Sequence, residues 1–93
     1  MRKLDQVEKH MLNDMMKKSS LLICGLVKNE DDFKNIVIIE RIANILISRL
    51  RKFFRLMDNK DEVYEFIKQI PALNKMRAPQ KHKLVSIIIK FLI

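Results

Sequence analysis

Apolar residues along this chain recur mostly at intervals of three and four, the spacing that gathers side chains on one face of an α-helix. From Lys3 to Val27, the residues Leu4, Val7, Met11, Met15, Leu22 and Leu26 keep to one face with Ser19 at its edge, and they predict a first helix. Gly25 lies near its end, and Asn29-Glu30-Asp31-Asp32 supplies a polar link whose carboxylates suit the positive N-terminus of the next helix. That second helix is expected over Asp31 to Met57, where Ile36, Ile39, Ala43, Leu46, Leu50, Phe53 and Met57 form a continuous seam. Its middle, Ile36 to Ile47, is apolar on most sides, as in a helix packed against several others. The β-branched isoleucines leave a strand as the alternative, against which Glu40 and Arg41 argue.

Asp58-Asn59-Lys60-Asp61 interrupts the pattern, and Asn59 or Asp58 is suited to cap a third helix that carries Val63, Phe66, Ile67 and Ile70 and is ended by Pro71. After an irregular stretch from Ala72 to Ala78, Pro79 is placed as the first residue of a fourth helix containing Leu84, Val85, Ile88, Phe91 and Leu92. Val85 and the run Ile87 to Ile89 suit a strand equally well, so residues 84–93 stay open between the two. The expected fold is all-α: an antiparallel helical bundle of about four helices, in a single domain over residues 1–93, without internal repeats.

Composition sharpens this picture. A chain of 93 residues, 48% hydrophobic and 32% charged, is too apolar for a disordered tail and long enough for one core. One glycine and two prolines leave few means of building hairpin turns. The N-terminus is charged and then amphipathic, unlike a secretory signal, and no apolar run approaches the about 18 residues that a bilayer span needs. With a single cysteine and therefore no internal disulfide, an intracellular, cytoplasmic location away from membranes is expected.

Catalytic chemistry finds little material. His10 and His82 lie far apart in sequence, Cys24 has no second thiol or histidine at a ligand spacing, and one glycine cannot make a phosphate-cradling loop. No metal, no cofactor and no enzymatic activity is expected. The carboxylates at Glu30-Asp31-Asp32 and at Asp58, Asp61, Glu62 and Glu65 fall where helices begin, which capping explains, and Cys24 is expected in the core.

Charge carries more. The net charge is +8, and residues 1–48 hold 8 Lys/Arg against 7 Asp/Glu whereas residues 49–93 hold 11 against 4. Such an excess draws nucleic acid, anionic membrane or an acidic protein surface. On the second helix Lys34, Arg41, Arg51, Lys52 and Arg55 fall within an arc of roughly 100°, joined by Asn44 and Ser48 and opposite the seam through Leu50, Phe53 and Met57. Arg49-Leu50-Arg51-Lys52 followed by Arg55 lacks the interleaved acids of a face that serves only solubility. A second set, Lys75, Arg77, Lys81, His82 and Lys83, surrounds Pro79, where free backbone N–H groups at a helix start would favour phosphate or carboxylate. The fourth element offers only Ser86 and Lys90 as polar groups beyond Lys83, too few for a helix that reads base edges. Stacking on single strands would draw on Phe53, Phe54, Tyr64 or Phe91, most of which suit the core.

The stretch Ile42 to Leu56, followed by acidic residues and the amphipathic Val63-Tyr64-Glu65-Phe66-Ile67, resembles the helical parts of archaeal replication proteins. It is similar to the helical domain of GINS subunits and to the small basic accessory subunits of crenarchaeal B-family DNA polymerases. The resemblance implies a non-catalytic subunit that docks on a polymerase or replisome component and steadies its hold on DNA. The expected function is therefore an accessory or adaptor protein of nucleic-acid metabolism with a protein partner. Arg49, Arg51, Lys52, Arg55, Lys75, Arg77, Lys81 and Lys83 would face a phosphate backbone or an acidic subunit. An autonomous, sequence-independent nucleic-acid-binding homodimer and a purely structural interaction module are the alternatives.

Overall fold

Polar side chains decide where the helices begin. In the computed structural model, which describes residues 3–92, Asp5 accepts from the Glu8 backbone N–H at 2.8 Å and Glu8 accepts from the Asp5 N–H at 3.3 Å. This reciprocal cap starts α1 at Gln6, and the helix runs to Leu26. Asp32 then gathers the turn that follows, accepting from the N–H of Lys28 at 2.8 Å and of Asn29 at 3.2 Å, and a 3₁₀ turn spans Glu30–Lys34. Asn35 caps α2 (Ile36–Phe54), and Asn59 caps α3 (Lys60–Ile67), where Glu62 reaches back to the N–H of Asp58 at 3.0 Å. Pro71 opens a second 3₁₀ turn to Leu73, and α4 occupies Ala78–Leu92. Asp32 and Glu62 thus close local backbone, and Asp61 and Glu62 stand in the first turn of α3 as expected. Glu30-Asp31-Asp32, expected at the N-terminus of the second helix, instead form the 3₁₀ turn ahead of α2, whose first turn holds no acid.

The fold is all-α, with four α-helices and no strand among the described residues. The isoleucine run Ile87 to Ile89 is helical, which removes the strand alternative as far as Leu92; Ile93 lies outside the described residues. Among the described residues, no helix is long and apolar enough to cross a membrane.

The core is built around α2, which buries Ile39, Ile42, Ala43, Leu46, Ile47, Leu50, Phe53 and Phe54 and packs against both α1 and α4. Leu84, Val85 and Ile88 close it from α4, and Val63, Phe66 and Ile67 from α3, where the Phe66 ring meets Phe54 edge-on at 5.4 Å. Gln80, at the start of α4, lines a cleft with the Glu30–Lys34 turn, while the last turns of α4 lie beside Glu40 and Asn44 on one side and Phe54 on another. Tyr64 and His82 stack at 4.6 Å between α3 and α4.

Several boundaries and faces differ from the sequence expectation. The element expected over Asp31 to Met57 divides at Asn35 into a 3₁₀ turn and α2, leaving Ile36 half exposed at the first turn and Met57 beyond the helix end. The third helix stops at Ile67, short of Pro71, and the fourth begins one residue before Pro79. Gly25 does lie near the end of α1, one residue before Leu26, and has no positive φ. On α1, Met16, Ser19 and Ile23 face the core, whereas Val7, Met11 and Leu22 face outward, and Cys24 is exposed rather than buried. Of the aromatics named for either the core or stacking, Phe53 and Phe54 are buried and Phe91 is 58% exposed.

Ser20 joins α1 to the Pro71–Leu73 turn: its hydroxyl oxygen accepts the Ala72 backbone N–H at 3.1 Å in a part-buried setting. Ser20→Ala strands that donor, and the expected loss is about 1–2 kcal/mol of unfolding free energy in urea titration. A wild-type midpoint for the variant would show that water replaces the hydroxyl.

Candidate nucleic-acid interface

The periodicity that buries one side of α2 turns its polar residues outward as a row. Asn44, Ser48, Arg51 and Arg55 follow one another at steps of four, three and four, with Arg41 and Lys52 beside them, and all six are exposed. Arg41, Arg51, Lys52 and Arg55 form no ion pair with a carboxylate among the described residues. At 19 residues α2 is about 28 Å long, and the row from Arg41 to Arg55 takes up roughly 21 Å along it. Glu40 is the one acid on the face and stands near its opposite end from Arg51 and Arg55. Like-charged neighbours such as Arg51 and Arg55 on successive turns repel, although cations in a last turn also compensate the helix dipole.

Two members of the expected set stand apart. Lys34 belongs to the 3₁₀ turn and lies 3.5 Å from Asp31, so helical periodicity does not place it in the arc. Arg49 is exposed but lies roughly 60° around the helix from Lys52, toward the packed flank.

The second basic set does not gather into a patch. Lys75 and Arg77 line a small cleft of about 90 Å³ with Glu30, Asp31, Phe33, Lys34 and Gln80, a surface of mixed charge. Lys81 is partly covered, one turn ahead of Leu84 and Val85 on the same side of α4. His82 is engaged by Tyr64, over whose ring Lys68 also lies at 5.7 Å. Lys83 is exposed on the outer side of α4. Arg77 precedes the first turn of α4, its carbonyl accepting from the Lys81 N–H at 3.0 Å, and its guanidinium has no acceptor with which to cap the helix. Because α4 starts beside the Glu30–Lys34 turn, this set lies toward the other end of α2 from Arg51, Lys52 and Arg55.

Sequence reasoning missed what borders the α2 face. Phe91, an aromatic ring more than half exposed, lines a groove of about 390 Å³ with Ile87, Lys90, Glu40 and Asn44. An aromatic and a lysine thereby sit next to the polar row. The helical spacing of Ile87, Lys90 and Phe91 in sequence was the available signal, hidden because Phe91 also matches the core period of Leu84 and Ile88.

Among the described residues, no group of three or more His, Cys, Asp or Glu side chains is arranged to hold a metal ion. Comparison of the chain with models of protein families, with curated proteins and with solved structures finds no match.

Proposed function

We propose that this protein is a non-catalytic accessory subunit of nucleic-acid metabolism that holds a phosphate backbone against the outward face of α2. Arg41, Arg51, Lys52 and Arg55 are the contacting cations, and Asn44 and Ser48 add hydrogen-bond donors to phosphate oxygens. The observation that carries this is the row of cations without ion-pair partners among the described residues, set on the helix whose other side organises the core. The likeness of Ile42 to Leu56 to archaeal replication proteins supports a polymerase or replisome subunit as the protein partner, inside the cell. Arg49, Lys75, Arg77 and Lys83 contribute to the field around the site; the contacts themselves fall to the α2 row. The alternative of an autonomous binder acting as a homodimer is favoured by one observation, the exposed apolar side chains of α1.

Titration of the isolated chain into random-sequence duplex and single-stranded DNA over a range of salt concentrations tests the proposal. Binding is expected with a dissociation constant on the order of 10⁻⁴ to 10⁻⁶ M at physiological salt, independent of sequence. Absence of binding even at low salt would remove the α2 face as a backbone contact.

A further inference from the structure

On α1 the side chains that turn away from the core are not all polar. Val7, Met11, Leu21 and Leu22 are 68%, 39%, 73% and 43% exposed, while Met16, Ser19 and Ile23 fill the inner side. Val7, Met11, Asp14, Lys18, Leu21 and Gly25 follow at steps of four, three, four, three and four, the spacing of a coiled-coil seam. They occupy an arc of roughly 80°, well round the helix from the buried row.

We propose that a second copy of this chain covers the seam, its α1 lying antiparallel across a two-fold axis at the level of residue 16. The order of the seam residues is what selects this occupant. An isologous contact requires that if one residue meets another, the reverse contact also occurs. Reversed about residue 16, Val7 falls opposite Gly25, Met11 opposite Leu21 and Asp14 opposite Lys18, each pair formed twice. Asp14 and Lys18 already lie 3.0 Å apart within one helix; across the axis each gains an opposite charge from the other copy. A parallel pairing sets Asp14 against Asp14 and Lys18 against Lys18, and polar seam residues of this kind fix orientation.

Gly25 adds a second, independent observation. A helical glycine lowers stability relative to alanine, yet here φ is not positive and an added Cβ would meet nothing within 4 Å. The folding of one chain makes no use of this glycine. In the antiparallel pair it leaves space for the branched side chain of Val7. The charge distribution is also permissive, since the near-neutral N-terminal half of a chain of net charge +8 forms the contact.

Sedimentation equilibrium of the full chain, without nucleic acid, tests the proposal separately from phosphate binding. The apparent mass is expected to rise with concentration from 11.1 kDa toward twice that value. Met11→Glu with Leu21→Glu should remain at the monomer mass with unchanged circular dichroism, because both side chains are exposed. Asp14→Lys should dissociate the pair and Asp14→Lys with Lys18→Asp should restore it. Orientation is read by oxidation in a Cys24→Ser background. Residues 11 and 21 of one helix are about 15 Å apart, beyond the roughly 7 Å reach of a disulfide, so Met11→Cys with Leu21→Cys links only between chains. Met11→Cys alone should stay unlinked. A monomer mass at millimolar concentration, or linkage through Met11→Cys alone, overturns the proposal.

Discussion

Replacing Phe53 with alanine is expected to lower the unfolding free energy by about 3–5 kcal/mol, the range for deleting a large buried aromatic from a packed core. Phe53 is fully buried in the last turn of α2, on the side of the helix that also carries Leu46 and Leu50. The loss combines the transfer of the ring from water with the contacts its neighbours forfeit when they cannot close the space. For a domain of this size the melting temperature should fall by on the order of 20 °C. Total stabilities are about 5–15 kcal/mol, so this single change removes a large share. Val37→Ala, on the outward side of the same helix and 50% exposed, should stay within about 0.5 kcal/mol of wild type. Thermal and urea unfolding measure both; equal effects at the two positions would mean that α2 does not have an inner and an outer side.

Arg51→Glu with Arg55→Glu is expected to produce the opposite pattern. Both side chains are exposed and without carboxylate partners among the described residues, so the core is untouched. The structural cost is the lost compensation of the helix dipole at the α2 C-terminus, at most about 1 kcal/mol, partly offset by relief of repulsion between successive cations. Binding to random-sequence DNA should weaken by roughly 10- to 100-fold, or about 1.4–2.8 kcal/mol. The same reversal at Lys75 and Arg77 should weaken it less, because Glu30 and Asp31 share their cleft. A larger effect at Lys75 and Arg77 would relocate the contact to the start of α4.

Helical periodicity made α2 legible from sequence, because its strong segregation of isoleucine, leucine and phenylalanine from arginine and lysine admits only one orientation. The start of α3 was legible too, with Asn59 as its cap and Asp61 and Glu62 in its first turn, whereas Asn35, not the Glu30–Asp32 cluster, caps α2. The extent of the first helix was legible as well, Lys3 to Val27 against Gln6–Leu26, but its buried face only in part, for a physical reason. It carries two apolar rows, one through Met16 and Ile23 and one through Val7, Met11 and Leu21, and periodicity cannot say which of two faces meets the core. The basic residues around Pro79 illustrate a different limit. Their proximity along the chain says nothing of direction, and folding partly covers Lys81, sets Lys75 and Arg77 beside acids and leaves Lys83 on the outer side of α4. Sequence also left open how the two basic sets are separated, which depends on Lys75 and Arg77 packing beside the Glu30–Lys34 turn, ahead of α2.

Salt dependence distinguishes a backbone contact from every other use of these cations, because each neutralised phosphate releases condensed counterions. Four contacts from Arg41, Arg51, Lys52 and Arg55 predict that the logarithm of the duplex association constant falls against the logarithm of salt concentration with a slope of roughly −3.6, and of roughly −1.8 once Arg51 and Arg55 are replaced by glutamine. Equal slopes for the two proteins would contradict phosphate binding by the outer side of α2.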